Sequence, residues 1–271
     1  MSYKASLIIA VYKNTVFLKA VLDSLKEQTE KKFEIIIAED GESSEMKSFL
    51  SSYHFEQAWQ HITQKDEGWR KNHAMNKAII ASNTEWLIFI DGDCVLHPRF
   101  IEMHLKYANE NVILAGKRVK LDQKLSDLVI SKKITNKDLQ RQLLKKLLTG
   151  KGEIRFPEEG VFISPDGPFG FIPTMRKLNY LKGCNMSFSK KAITRINGFD
   201  QDYILPAIGE DIDLSWRFEK AGFKHKSLRN LAVQYHLYHK ENWISQEENV
   251  RIMTDKKKRN EFICKNGLLK N

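Results

Sequence analysis

The chain has 271 residues, 42% of them hydrophobic, with 44 Lys and Arg against 34 Asp and Glu for a formal net charge of +10. That length predicts one large domain or two small ones, and the apolar content is enough for a packed core, which excludes wholesale disorder. The longest apolar runs, such as residues 7–11 and 87–90, fall far short of the roughly 18–20 residues needed to cross a bilayer, and the opening segment lacks the apolar core of a secretion signal.

Residues 6–11 (SLIIAV) form a continuous apolar run, as expected of a strand buried on both faces. Asn14 then caps a helical pattern that repeats through Phe17, Ala20, Val21 and Leu25. A second strand is predicted at 33–38 (FEIIIA), a polar helix near 44–53, and a weaker strand around 59–63. A helix through Ala74, Ala78 and Ile79 follows, then a strand at 86–90 (WLIFI). This alternation predicts a parallel sheet with right-handed crossovers.

Asp40, Asp66 and the pair Asp91 and Asp93 each follow the C-terminal end of a predicted strand, where open α/β sheets bind ligands. One aspartate in such a place can equally cap the next helix. Several converging on one sheet edge point to a site. Asp91-Gly92-Asp93 offers two hard oxygen ligands for a divalent cation, which can in turn grip a diphosphate. No GxGxxG or GxxxxGK[ST] occurs, which argues against a dinucleotide fold and a P-loop.

The excess positive charge is local. Residues 1–116 carry 13 basic and 16 acidic side chains, whereas residues 117–155 carry 12 and 4. Leucines spaced by three and four in 117–155 predict amphipathic helices carrying Lys124, Lys132, Lys133, Lys137, Arg141, Lys145 and Lys146. Two readings are open: a solvated lysine face, or an interfacial surface for anionic lipid. Nucleic acid is not an expected partner, because no recognised binding module or set of stacking aromatics accompanies the charge. Residues 156–180, rich in Gly, Pro and aromatics, predict a long loop.

Residues 183–188 read as an apolar strand with Asn185 embedded, where an amide ordinarily satisfies backbone groups. Asn197-Gly198 is a turn signal. Glu210, Asp211 and Asp213 open a helix that Gly222 stops, and acids there complement the helix dipole. A strand is predicted at 231–235 ahead of His236 and His239, which share a face if helical and oppose one another if extended. Carboxylate oxygens with imidazole suit Mn2+, with Mg2+ a substitute. Residues 245–271 predict a basic helical tail. The three cysteines, Cys94, Cys184 and Cys264, are widely spaced and fit reduced thiols in a cytoplasmic protein.

In order, SLIIAVYKN, FEIIIAEDGES, QKDEGWRKNHAMNKAI, WLIFIDGDCVLHP and GCNMSFSKKAITRINGFDQDY through GEDIDLSWRFEKAGF to YHLYHKENW resemble a family-2 glycosyltransferase. The later half is similar to galactosyltransferase-like and chondroitin-polymerase-like enzymes. The opening departs mildly from the family pattern, with Ala10 where proline is usual and Glu39-Asp40 for Asp-Asp.

The resemblance implies a GT-A fold, an α/β architecture with a Rossmann-like, mostly parallel central sheet flanked by helices. A helical basic excursion and a C-terminal helical tail would be added to it. It divides the chain into a catalytic domain over 1–244 and a tail over 245–271. Within the domain, 1–116 would bind nucleotide, 117–180 would form the excursion and acceptor-side loop, and 181–244 would carry the catalytic base.

By the same resemblance Val11, Tyr12, Asp40, Asp66, Arg70, Asp91, Gly92 and Asn185 would bind a UDP-sugar. Asp40 and Asp66 would line the uridine pocket, Arg70 would approach the diphosphate, and Asn185 would lie beneath the donor sugar. Asp93 would ligate the metal with His236 as the better match and His239 in reserve. Asp211 would be the base, kept ionised by the helix N-terminus, with Glu210 against the acceptor and Asp213 as a cap.

The implied activity is inverting transfer of a hexosyl or N-acetylhexosaminyl group to a glycan or lipid-diphosphate-linked acceptor, in surface polysaccharide synthesis at the inner face of the plasma membrane. A sugar-nucleotide pyrophosphorylase is disfavoured by the missing glycine-rich phosphate loop after Val11. An inactive membrane-associated binding module is disfavoured by the intact DGD, GED and histidine set.

Overall fold

The computed structural model describes residues 3–150, 153–206, 208–209, 211–240 and 244–269. The first half runs β1 (Ala5–Val11), α1 (Thr15–Leu25), β2 (Phe33–Glu39), α2 (Ser44–Ser52), β3 (Trp59–Ile62), α3 (Lys71–Ala81), β4 (Trp86–Asp91), β5 (Cys94–Leu96), α4 (Phe100–Lys106), β6 (Val112–Ala115) and β7 (Val119–Lys120). It continues with α5 (Gln123–Ile130), α6 (Asn136–Thr149), a 3-10 turn at Pro157–Gly160, α7 (Phe171–Met175), β8 (Asn185–Ser189), α8 (Lys190–Arg195), α9 (Ile212–Lys220), β9 (Lys224–Ser227), β10 (Gln234–His236) and α10 (Glu247–Lys258).

Seven strands form the main sheet in the order β3-β2-β1-β4-β8-β6-β9. β1 to β4 are parallel, as the strand–helix alternation predicts, and β8 enters antiparallel between β4 and β6. The alternation of side chains along each strand builds two cores. Leu7, Ile9, Ile35, Ile37, Ile88 and Ile90 pack under α1 and α2, while Ile8, Ile36, Leu87 and Phe89 pack on the other face with α3, α8 and α9. Both faces are covered, which is why β1 and β2 are buried along their whole length.

A second sheet, in the order β5-β10-β7, lies at the C-terminal end of β4. The strand expected at 231–235 is instead β10, three residues long and displaced toward His236. Leu231 and Ala232 belong to a turn that follows Asn230, whose φ of 61° lies in the left-handed region. Their side chains are buried all the same, so the apolar run marks core without marking strand.

The two amphipathic helices of the basic stretch are present, capped by Asp122 and Thr135. In α6, Leu139 and Leu143 face the core while Leu144, Leu147 and Leu148 are exposed. The C-terminal segment is docked. Lys256 is buried against Asp200 and Asp202, and Leu269 exchanges two 2.9 Å hydrogen bonds with the Asn197 side chain. No helix among the described residues is long and apolar enough to cross a membrane.

The largest fully buried side chain among the described residues is a charged one in α9. Arg217 has no exposed surface; its Nε donates to Asp213 at 2.6 Å and its Nη1 to the carbonyls of Ile196 and Gly198, both at 2.9 Å. Tyr203 donates to the other Asp213 oxygen at 3.0 Å. Asp213 is thus a buried ion-pair partner, while the cap of α9 is Asp211. Asp213→Ala is expected to cost about 3–5 kcal/mol in chemical denaturation, because it strands a buried guanidinium. The double variant Asp213→Leu with Arg217→Met is expected to lose less than Asp213→Ala alone.

Candidate active site

A cavity of about 760 Å3 opens where the strands of the main sheet end. Its walls include Val11 and Tyr12 from β1 and the residue after it, Asp40 after β2, Trp69 and Lys71 at the start of α3, Asp91, Gly92 and Asp93 at the end of β4, and His239. Gly92 permits the close approach of this turn to β1. Its N–H donates to the Ala10 carbonyl at 2.8 Å, and a Cβ there would lie 2.7 Å from Val11 Cγ1.

The second sheet brings the histidines to the aspartate. β10 pairs antiparallel with β5, setting His236 opposite Cys94, and Leu237 N–H donates to the Asp93 carbonyl at 2.9 Å. His236 Nε2 then lies 3.3 Å, and His239 Nε2 3.2 Å, from Asp93 Oδ2. His236 is strand and His239 follows it in an irregular segment, so the two converge with no helix between them. Both are placed to act together, where one ligand and a reserve were expected.

Burial alone would push the Asp93 carboxyl up, yet the two imidazoles and the Arg118 charge hold it well below the usual carboxylate range. His239 Nδ1 lies 3.2 Å from the Lys240 carbonyl, which can only accept a hydrogen bond. With Nδ1 protonated, Nε2 either carries a second proton donated to the Asp93 carboxylate or, in the neutral ring, offers its lone pair to a cation shared with that carboxylate. Two acceptors facing one another need a proton or a cation between them. The Asp93, His236 and His239 donor atoms lie within 4.8 Å of one another, a donor set that fits a divalent ion such as Mn2+.

Asp91 is occupied differently. Lys71 Nζ holds one oxygen at 2.7 Å and Arg118 Nη1 the other at 3.2 Å. Neither cation was singled out from sequence, and both set the charge of the cavity floor. Asp40 is buried and accepts from Gln64 Nε2 and the Arg70 backbone N–H, each at 2.7 Å.

Three expected donor-site residues stand outside the cavity wall. The Arg70 guanidinium turns to Glu67, and Lys71, one residue on, enters the cavity in its place. Asp66 is tied to Lys13 at 2.6 Å and to the Tyr12 hydroxyl at 3.3 Å, in a shallower adjoining pocket. Asn185 is fully buried: its amide donates to the Lys117 and Ala232 carbonyls at 2.9 Å, and its oxygen faces His104 Nε2 at 3.1 Å. Burial pulls the His104 imidazole down to about 3, so it is neutral and Nε2 can carry the proton donated to Asn185. Asn185 has its donors committed to joining β8 to the neighbouring loops, as a buried amide ordinarily does.

Asp211 caps α9 by accepting from Ile212 N–H at 2.8 Å, with Lys182 Nζ at 3.7 Å. Burial pushes its carboxyl above the ordinary range, and Lys182, the Ile212 N–H and Lys71 pull the other way. The helix N-terminus favours the ionised form, while desolvation raises the proton affinity of the same carboxyl. Glu210 lies outside the described residues.

Comparison with known proteins identifies the architecture. Residues 6–162 match the glycosyl transferase family 2 profile and residues 174–240 match that of the N-terminal domain of galactosyltransferase. Chondroitin synthase of Escherichia coli is 22% identical over 237 residues, which cover 85% of this chain and 34% of that protein. The chain thus spans about a third of that relative's length. The uncharacterized glycosyltransferase YfnE of Bacillus subtilis (strain 168) is 26% identical over 285 residues, covering 93% of this chain and 70% of that one.

Among solved structures, mannosyltransferase PcManGT from Pyrobaculum calidifontis, in complex with GDP-Man and Mn2+, superposes with a TM-score of 0.58 at 15% identity, over 94% of this chain and 61% of that one. TarS 1–349 of S. aureus, in complex with UDP-GlcNAc, gives 0.58 at 13% identity, over 93% and 66%. A central sheet parallel from β3 to β4, a carboxylate-lined cavity at its C-terminal edge and these two profiles agree. The chain belongs to glycosyltransferase family 2 and has the GT-A fold.

Proposed function

We propose that the protein is a metal-dependent, inverting glycosyltransferase that moves a hexosyl or N-acetylhexosaminyl group from a UDP-sugar to a glycan or lipid-linked oligosaccharide. The observation that carries this reading is the convergence of Asp93, His236 and His239 beside a cavity lined by Tyr12 and Trp69. The aromatic side chains offer faces to a nucleobase, and Asp40 offers a buried carboxylate oxygen to a base N–H. The neighbours solved with GDP-Man and UDP-GlcNAc support a nucleotide-sugar donor.

Asp93, His236 and His239 would hold Mn2+ or Mg2+, which when bound offsets charge on the departing nucleotide diphosphate. Lys71 and Arg118 orient Asp91 at the floor of the cavity. Asp211 accepts the proton of the acceptor hydroxyl as that oxygen attacks the anomeric carbon from the face opposite the leaving group. A carboxylate with a raised affinity for protons is a stronger base than a solvated one, provided the pH keeps it ionised.

Nucleotide release with Mn2+ and a panel of UDP- and GDP-sugars tests the reading. Asp211→Asn is expected to lower turnover about 10²- to 10⁴-fold with donor affinity retained, the usual span for a general base. Asp93→Ala is expected to abolish metal dependence. Wild-type turnover in both variants would overturn the mechanism. Because burial raises the Asp211 carboxyl and Lys182 opposes that shift, activity falls as pH drops through the raised value. Lys182→Gln is expected to move this acid limb to higher pH, read from kcat/KM profiles.

The exposed face of α6 supports peripheral binding to an anionic membrane. Leu144 and Leu148 alternate there with Lys137, Arg141 and Lys145, and Leu148 is 80% exposed. Lys132 and Lys146 are engaged with Asp23 and Asp122, at 2.9 and 2.7 Å. Replacing Lys137 and Lys145 by Gln is expected to weaken flotation with phosphatidylserine vesicles by about 30-fold, at about 1 kcal/mol per lysine. Equal flotation would remove the membrane claim.

A further inference from the structure

Near Asp211, two exposed aromatic rings share one lysine, and a second lysine reaches one of them. Tyr180 is 40% exposed and Phe156 50%. Lys117 Nζ lies 5.9 Å from the Tyr180 ring centroid and 6.0 Å from that of Phe156. Lys182 Nζ lies 5.4 Å from the Tyr180 centroid and 3.7 Å from the Asp211 carboxylate. One ammonium group bridges the rings and the other joins Tyr180 to Asp211.

The display of Phe156 is built into the backbone. Its φ of 61° lies in the left-handed region, which a bulky aromatic seldom enters without a constraint. The constraint is present on both sides. Lys120 and Arg155 exchange backbone hydrogen bonds of 3.0 and 3.1 Å just before it, and Glu159 N–H donates to the Phe156 carbonyl at 2.9 Å just after. A ring held outward at a conformational cost contrasts with ordinary apolar surface, where nothing is spent on exposure.

The patch is linked to the donor cavity through charged residues. Arg118, next to Lys117 in the chain, pairs with Asp91 on the cavity floor, and Lys71 on the cavity wall acts electrostatically on Asp211. A pyranose presents an apolar C–H face that packs on an aromatic ring, and ammonium groups at the ring faces recognise a negative substituent on the same sugar.

We propose that Phe156, Tyr180, Lys117 and Lys182 form an acceptor subsite for an anionic sugar, its ring on the aromatic faces and its carboxylate or phosphate between the two ammonium groups. This rests on the reading of Asp211 as the base, and it narrows the acceptor from glycans in general to those bearing an acidic residue next to the reacting hydroxyl.

The test is binding to the full chain with UDP and Mn2+ present, by isothermal titration and saturation-transfer NMR. The probes are tetragalacturonate for the carboxylate, a mannose 6-phosphate oligosaccharide for the phosphate, and chitotetraose as the neutral control. At least one anionic probe is expected to bind about tenfold more tightly than chitotetraose, as one charge-assisted contact allows. Lys117→Gln and Tyr180→Ala are each expected to weaken that binding by about as much. Phe156→Gly separates display from folding, since glycine accepts the left-handed backbone: thermal stability should hold while anionic binding falls. Tight binding of the neutral probe, failure of both anionic probes to bind, or full anionic binding in all three variants would overturn the subsite. UDP affinity in the same samples reports the donor reading separately.

Discussion

The site depends on one backbone contact between distant parts of the chain, the pairing of β10 with β5. It delivers His236 and His239 to an aspartate as many as 146 residues earlier. Asp93 and Asp91 set two carboxylates in a partly buried place, and the fold must offset their negative charge. Arg118 does so from one side while also engaging Asp91, and Lys71 closes the arrangement from the start of α3.

The parallel half of the sheet was legible because both of its faces are covered. β1, β2 and β4 had to be continuous apolar runs, and continuous runs survive in a sequence without knowledge of neighbours. Acids at strand ends were equally visible. β7 and β10, of two and three residues, left no period to read, and their existence is set by partners far away in the chain. The helical alternative for His236 and His239 had the same origin: spacing of three means little where a strand gives way to irregular chain.

Errors of one residue matter most at a helix start. Arg70 is the non-helical cap residue of α3 and Lys71 its first helical position, and across that change of backbone one side chain goes out to Glu67 and the other into the cavity. The family resemblance implies the arginine, while the geometry puts the lysine in the cavity. Asn185 shows a different limit. Its sequence setting suits a sugar contact or a structural amide equally, and only the positions of the Lys117 and Ala232 carbonyls decide in favour of structure. The same is true of Asp213, whose partner Arg217 is a local i,i+4 neighbour but whose burial is a property of the whole domain.

The antiparallel insertion of β8 has a consequence for how the protein is made. The family 2 match ends at residue 162 and the second match begins at 174, as though two pieces had been joined. Yet β8 lies between β4 and β6, and Ile90 pairs with Asn185. A nascent chain that has emerged only through β6 therefore has an unpaired hydrophobic edge on β4 and no strand to hold β6. At roughly 5–20 residues per second, synthesis takes several seconds to supply the missing strand. During that interval the sheet edge is open to pairing with other chains. The boundary that sequence comparison draws is thus no boundary for folding, and the first half cannot complete its own sheet.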